Sequence, residues 1–302
     1  MADTRYVQIV VNPVSGRESS ERLVSGLVKE MESAGWPVRV HRTTGPGDGG
    51  AGVAGCNADS CRALVVVGGD GTVREVATSV QAGVPIVILP RGTENLVAKY
   101  LGMATTVECV SRLLKEGVPI GIDIAEMRTR ERLRRFLLVA GVGFDAEVVR
   151  LVHGARRGHI THRSYIWPIL RTLWTYRHPR LRVETAEGVL FEGHGMVFVG
   201  NIPRYAIGLR LVQHADPCDG LLDVCVYECN SRLGLLRHAI MTLFRRHIGS
   251  RGVKYTQTRR ASVSAQSTVD VEVDGDLADP LPAEFVMTDH KATFLVSAEW
   301  RA

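Results

Sequence analysis

No stretch of this 302-residue chain approaches the roughly 20 consecutive apolar residues a helix needs to span a bilayer, which excludes a single-helix anchor. The first residues, MADTRYVQIVVNP, lack a leader pattern, so the chain is expected to enter its first strand directly. The six cysteines, Cys56, Cys61, Cys109, Cys218, Cys225 and Cys229, form no CxxC pair and have no histidine at zinc spacing. That excludes a disulfide frame and a structural zinc site, and predicts reduced thiols in a cytoplasmic protein. No Gly-Lys-Ser/Thr follows the glycine turn described below, so it is not a Walker A loop. Acid is missing from two long stretches. None lies between Glu147 and Glu184, where Arg150, Arg156, Arg157, Arg163, Arg171, Arg177, Arg180 and Arg182 occur. None lies between Glu228 and Asp270, where Arg237, Arg245, Arg246, Arg251, Lys254, Arg259 and Arg260 occur.

What is present fits a globular protein of two ordinary domains: 45% of residues are hydrophobic and 23% charged. A net charge of +5 and a pI near 9.0 mildly favour anionic partners.

The most informative stretch is VVVGGDGTVREV, Val65 to Val76. Ala63 to Val67 is a short β-branched run suited to a strand buried on both faces of a parallel sheet. The chain then turns at Gly68-Gly69-Asp70-Gly71-Thr72. Thr72 and Glu75 have capping-box spacing, which predicts a helix from Val73 through Val80. Strand, glycine turn and helix start together aim unpaired N–H groups at one point, as a bound phosphate requires. Asp70 would repel bare polyphosphate, so its place there makes sense if Mg²⁺ bridges the two, directly or through water. The plain alternative is a strand-to-helix turn in which Asp70 satisfies local N–H groups.

Taken in order, Tyr6 to Val11 predicts a strand entering Asn12-Pro13-Val14-Ser15-Gly16, with Leu23, Val24, Leu27, Val28 and Met31 following at helical spacing. Val38 to His41 is the next strand. Gly45, Gly47 and Gly50 then spell a formal GxGxxG, but Pro46 lies inside it and no amphipathic helix opens at once, so a flexible loop is expected. Thr43 and Thr44, at a strand end, remain candidate nucleotide contacts. Pro85 to Leu89 is another buried strand, ending in Pro90-Arg91-Gly92-Thr93-Glu94-Asn95 at the sheet edge where α/β folds bind ligands. Thr105 to Glu108 reads as a second capping box, for a helix that Gly117 ends.

From about Gly121 the texture changes. Ile122–Ile124, Arg135–Val139, Met196–Val199, Leu222–Val226, Val269–Val273 and Ala292–Val296 read as strands with few helices between, which points to a β-sandwich or barrel-like domain. Within the first acid-free stretch, Tyr165 to Tyr176 is rich in Trp and Tyr. Arginines beside such residues suit an interfacial helix on an anionic membrane; a core helix with a solvated basic face fits equally well. No groove-reading or RNA-binding motif accompanies the charge, so nucleic acid is not expected as a partner.

The chain resembles the diacylglycerol kinase catalytic-domain family of bacterial lipid kinases, related to sphingosine and diacylglycerol kinases. The resemblance runs through Asn12 to Gly16, Gly68 to Thr72 with Glu75, Pro90 to Asn95, Ile122 to Ile124, Gly141-Val142-Gly143-Phe144-Asp145-Ala146, Asp219-Gly220-Leu221-Leu222-Asp223-Val224 and Val273-Asp274-Gly275. It implies an α/β, Rossmann-like nucleotide-binding domain over residues 1–124, completed by a last strand within 290–302, and a C-terminal β-sandwich over 125–289 that shapes the acceptor site. It implies ATP and Mg²⁺, with Asn12, Ser15, Gly68, Gly69, Asp70, Gly71, Thr72, Gly92, Thr93 and Asn95 around the nucleotide and Thr44 and Glu75 as weaker members. Asp274 matches the general base, with Asp70 competing; Asp219 and the Leu221 carbonyl match a structural Mg²⁺ position, Asp70 being a further metal candidate. Asp145 and Asn201 belong to the acceptor side.

Three departures stand out. Leu96 replaces an acidic residue after the PxGTxN asparagine, Asp276 replaces the glutamate of DGE, and Ile207 falls within Tyr205 to Leu209, where the family is glycine-rich. The expected activity is phosphorylation of a hydroxyl on a diacylglycerol-like or sphingoid-like lipid, by a cytoplasmic protein held peripherally on an anionic membrane; a homodimer is compatible with the sequence. Two alternatives stay open: a catalytically weak nucleotide- or lipid-binding regulator, and an NAD kinase-like enzyme.

Overall fold

Apolar runs flanked by glycine loops dictate the first half. A computed structural model describes residues 5–16, 20–103, 105–154 and 162–301. The elements begin with strand β1 (Tyr6–Val11), helix α1 (Ser20–Ser33), β2 (Val38–Arg42), α2 (Asp48–Ala51), β3 (Cys61–Gly68), α3 (Asp70–Ala77), β4 (Ile86–Pro90), α4 (Leu96–Tyr100), α5 (Val107–Glu116) and β5 (Val118–Arg128). They continue with β6 (Leu133–Phe136), β7 (Val139–Val142), α6 (Phe144–Gly154), α7 (His162–Thr175), β8 (Arg180–Thr185), β9 (Gly188–Gly200), β10 (Leu222–Glu228), α8 (Arg232–Leu243), β11 (Val253–Thr258), β12 (Arg260–Ala265), β13 (Val271–Val273), β14 (Asp276–Ala278) and β15 (Ala283–Val296). The chain divides into two units, residues 1–122 with 290–302, and residues 123–289.

In the first unit the strands run parallel in the order β15-β4-β3-β1-β2. Val65, Val66 and Val67 are wholly buried, as a strand covered on both faces requires. Leu27 and Met31 of α1 pack into the core formed by Val7, Ile9, Val65 and Val87. Parallel strands place the loops after β1, β2, β3 and β4 at one sheet edge.

Several local expectations are corrected. Helix α3 begins at Asp70, not Val73, because Gly69 in extended conformation is its N-cap. Thr72 lies inside the first turn and Glu75 bonds elsewhere, so they form no capping box. The cap of α5 is Thr106, whose Oγ1 accepts from the Cys109 N–H at 3.3 Å, not Thr105. The loop after β2 contains the short helix α2 and is tied down by hydrogen bonds.

The second unit is two-layered and largely antiparallel. One layer runs β14-β13-β7-β9-β10-β11; the first half of β9 turns into the other, beside β8, β12 and β15. Val197, Val199, Val224, Val263, Val273 and Phe285 share the core between them. The run Arg135–Val139 splits between β6 and β7, and among the described residues the α-helices α6, α7 and α8 accompany the strands. All six cysteines are free thiols, and no helix among the described residues is long and apolar enough to cross a membrane.

Candidate active site

In the first unit, three loops meet at the edge of the parallel sheet. Asn12 follows β1; its N–H donates to the Val67 carbonyl at 2.9 Å, its Nδ2 donates to Thr72 Oγ1 at 3.4 Å, and its Oδ1 accepts from the Val14 N–H at 3.1 Å. The Ser15 N–H donates back to the Asn12 carbonyl at 3.1 Å. Gly16 has φ +89°, and a Cβ there would stand 3.1 Å from Arg91 Nε, so this loop lies against the one after β4.

The two glycine turns touch. A Cβ on Gly92 would lie 2.7 Å from the Gly69 α-carbon, and one on Gly69 would lie 3.0 Å from that of Gly92. Only residues without a side chain allow that approach. A Cβ on Gly68 would meet Thr72 Oγ1 at 2.8 Å. Asn95, in the left-handed region at φ +51°, clamps Gly92 from both sides: its Oδ1 accepts the Gly92 N–H and its Nδ2 donates to the Gly92 carbonyl, each at 2.7 Å. Thr93 is exposed at the tip.

Asp70 is the N-terminal residue of α3, yet its carboxylate serves another helix. Oδ2 accepts the Leu96 N–H at 3.0 Å and Oδ1 the Val97 N–H at 3.1 Å, supplying the cap that Asn95 does not give α4. Burial pushes the Asp70 carboxyl above the ordinary carboxylate range, while those two N–H donors pull it back. Hydrogen bonding within α3 starts only at the Val73 N–H, which donates to the Gly69 carbonyl at 3.1 Å. Among the described residues, the N–H groups of Asp70, Gly71 and Thr72 have no acceptor. Three open donors over a glycine cradle fit a polyphosphate.

Thr44 and Glu75 shape the neighbouring loop. The Thr44 N–H and hydroxyl donate to Asp48 Oδ2 at 2.7 and 2.9 Å. Glu75 accepts the Gly47 and Gly49 N–H groups at 2.8 and 3.0 Å. Leu96 is buried in place of the carboxylate expected there, and Glu94 pairs with Lys99 at 3.7 Å.

In the second unit, Asp274 (φ +52°) and Gly275 (φ +84°) turn the chain between β13 and β14. The Asp274 carboxylate accepts the N–H groups of Leu137 at 3.0 Å, Leu138 at 2.9 Å and Val139 at 3.2 Å, fastening the turn to the start of β7. Asp276 opens β14, half-buried.

Two residues before Asp274, Glu272 is a wholly buried carboxyl. Its Oε2 accepts the Gly275 N–H at 2.8 Å, and its Oε1 meets Asp145 across Gly141. A Cβ on Gly141 would lie 2.9 Å from Glu272 Oε1 and 2.7 Å from Asp145 Oδ2. Tyr205 donates its hydroxyl to Asp145 in a short hydrogen bond. Burial, then the Asp145 charge, holds Glu272 well above the carboxylate range, and burial raises Asp145 as well, so Glu272 is the member of the pair that keeps a proton. Sequence reasoning missed Glu272, although a lone glutamate inside the apolar run Val271–Val273 was the signal.

Asn201 is fully buried, its Nδ2 donating to the Asp123 and Leu137 carbonyls at 2.8 and 3.1 Å, and so belongs to the framework. Asp219 is exposed; its Oδ1 accepts the Leu221 N–H at 2.9 Å and its Oδ2 accepts from Gln257 at 3.3 Å. Among the described residues no group of three or more His, Cys, Asp and Glu gathers as a metal cage. One exposed carboxylate fits Mg²⁺ that keeps most of its water. Arg156 and Arg157 lie outside the described residues, as does the side chain of Ile207.

A parallel α/β unit with glycine turns at its strand ends, followed by an antiparallel sandwich, defines the fold shared by diacylglycerol kinases and NAD kinases. Residues 6–127 match the diacylglycerol kinase catalytic domain, and residues 138–294 the YegS C-terminal NAD kinase beta sandwich-like domain. The chain belongs to the diacylglycerol kinase catalytic-domain family and is a lipid kinase, a phosphotransferase with an alcohol acceptor. It is 25% identical over 287 residues to a diacylglycerol kinase of Bacillus subtilis, covering 93% of each chain. It is 29% identical over 284 residues to one of Mycobacterium tuberculosis, covering 92% of this chain and 91% of the relative. The fold is that of a diacylglycerol kinase crystal structure from Bacillus anthracis, at TM-score 0.71, 18% identity and 99% coverage of both chains. It is also like an NAD kinase from Archaeoglobus fulgidus in complex with ATP, at TM-score 0.55, 13% identity and coverage of 97% and 94%.

Proposed function

We propose that the chain moves the γ-phosphoryl group of Mg²⁺-ATP to the hydroxyl of a diacylglycerol-like or sphingoid-like lipid, working peripherally at a cytosolic membrane face. The observation that supports this most is the set of three open N–H groups, Asp70, Gly71 and Thr72, over a cradle closed to side chains at Gly69 and Gly92. Phosphoryl transfer needs little covalent help and much positioning. Asp70, Gly71 and Thr72 hold phosphate oxygens through their amides, and Asn12, Ser15, Gly68, Gly92, Thr93 and Asn95 fix the cradle. Thr44 and Glu75 set the loop beside it. Magnesium, when bound, offsets the charge of the phosphates against Asp70; Asp219 and the Leu221 carbonyl hold a second, hydrated ion.

In the reaction the lipid oxygen forms its bond to the γ-phosphorus as the bond to the β–γ bridging oxygen breaks and ADP leaves. A carboxylate with a reference pKa of about 3.9 takes the alcohol's proton late. Asp274 is the first candidate for it and Asp70 the second, with Asp145 orienting the acceptor and Asn201 holding the strands beneath.

The test is transfer of label from γ-labelled ATP to diacylglycerol, monoacylglycerol, sphingosine, ceramide and phosphatidylglycerol in anionic vesicles, with Mg²⁺ and with chelator. Labelled lipid that disappears with chelator, and with Asp70→Asn or Asp274→Asn, supports the proposal. Label on none of them, or equal trace ATP consumption by wild type and both variants, overturns it in favour of a regulator; label on NAD instead points to the NAD kinase-like alternative.

A further inference from the structure

Large apolar residues exposed to solvent gather on two helices of the second unit. Trp167, Leu170 and Trp174 of α7 are 70%, 48% and 63% exposed. Along α8, Leu233, Leu236, Ile240 and Leu243 are 81%, 45%, 47% and 65% exposed, and Phe244 follows at 68%. Each set recurs at three- and four-residue steps, so each marks one helix face.

Helix α8 is inverted relative to an ordinary surface helix. It turns His238 and Thr242 inward beside Leu235, where His238 bonds the Glu228 carbonyl at 2.9 Å and Thr242 the Tyr227 hydroxyl at 3.0 Å, and leaves Leu233, Leu236, Ile240 and Leu243 outside. Helices α7 and α8 pack together, with the Arg232 guanidinium 5.1 Å from the Trp174 ring centroid. The two apolar faces therefore belong to one region.

Along the sequence from the start of α8 up to Asp270 the charge has one sign. No acid lies between Glu228 and Asp270, while Arg237, Arg245, Arg246, Arg251 and Lys254 do. At the end of α8 the arginines crowd: besides burial, the nearby Arg245 and Arg204 charges push the Arg210 guanidinium down. An apolar face rimmed by cations is complementary to acyl chains beneath anionic headgroups. A second copy of the same face would set arginines against arginines, which disfavours self-association.

We propose that the exposed face of α7 and α8, Trp167, Leu170 and Trp174 with Leu233, Leu243 and Phe244, is the surface that seats in an anionic bilayer. This rests on the lipid-kinase reading only for why a bilayer should be met. It adds α8 and its inverted polarity to the membrane contact.

The test is flotation of the full chain on phosphatidylcholine vesicles with and without phosphatidylglycerol, with activity on a short-chain diacylglycerol in solution measured in parallel. Wild type is retained on the anionic vesicles. Leu243→Glu with Phe244→Glu lowers retention about tenfold or more, while activity on the dissolved acceptor persists. Leu133→Glu, the same change at a 54% exposed site on β6, leaves retention unchanged. Equal loss with Leu133→Glu, retention by the double variant, or wild type active on the dissolved lipid but absent from anionic vesicles overturns the surface while leaving the kinase reading standing. So does sedimentation as a dimer that the double variant converts to monomer. Should the double variant not fold, wild-type tryptophan fluorescence decides: bromolipid quenching that Trp167→Phe with Trp174→Phe abolishes supports the face, and its absence overturns it. No label on any lipid would instead defeat the kinase reading, and retention would still be read separately.

Discussion

The contact between the glycine turns makes Gly92→Ala a sharp perturbation. Relaxed carbon contacts fall at about 3.5–4.0 Å, and the new methyl would stand 2.7 Å from the Gly69 α-carbon. The obstacle is backbone, which cannot swing aside as a side chain can. The turns must part by about 1 Å, and overpacking of this kind costs about 1–3 kcal/mol. Gly92 is not in the positive-φ region, so the cost is contact alone. For a chain of 302 residues the melting midpoint should fall by about 2–5 °C. A cradle displaced by about 1 Å should lose up to about a hundredfold in kcat/KM for ATP. Gly71→Ala is the stability control: nothing stands within 4 Å of its Cβ position, so an alanine in this first helical turn should leave the midpoint unchanged or slightly raised. Calorimetry and ATP-dependent lipid phosphorylation measure both effects. Gly92→Ala with an unchanged midpoint and kcat/KM within about twofold of wild type would refute the reasoning.

Three further outcomes follow from the carboxylates. Glu75→Ala frees the Gly47 and Gly49 amides; it should raise KM for ATP and cost about 1–2 kcal/mol, since the carboxylate is partly exposed, and an unchanged KM on ATP titration counts against the loop's role. For Glu272, whose proton affinity is raised in the fold, the unfolded chain releases the proton first, so stability falls as pH climbs above about 4.3. Glu272→Gln has no such proton to lose: its midpoint relative to wild type should grow more favourable from about pH 4.3 to neutrality, and a pH-independent difference in thermal melts contradicts the assignment. Asp274→Asn keeps the left-handed turn but loses the charge shared among three strand amides; it should destabilise by about 1–3 kcal/mol and lower kcat more than KM for ATP. Unaltered kcat in steady-state assays removes Asp274 from the chemistry.

Much of the α/β unit was legible because its signals are local: a β-branched run, a glycine turn, then apolar residues at helical steps. The spacing of Thr72 and Glu75 misplaces the start of α3 because Gly69 takes the extended cap position without any side-chain bond, leaving Thr72 and Glu75 for tasks set by distant loops. Glu75 looks like a helix-capping residue until residues 28 and 26 positions earlier present their amides to it. The same long-range logic hid what Asp70 and Asp274 do besides chemistry. Asp70 caps a helix 26 residues on, and Asp274 gathers amides from residues up to 137 positions away. Exposure was equally out of reach: Trp167 and Trp174 fit a core helix or a surface one until the fold fixed which way they face.

Strand β15 pairs with β12 over Ala283–Val286 and with β4 at Phe294. A stop codon placed just before Ala283 would therefore strip an edge partner from the parallel sheet and from the sandwich in one stroke. Fragments cut at that point would lack neither half cleanly. The rational excision is internal: splice Ile122 directly to His290 and express residues 123–289 alone.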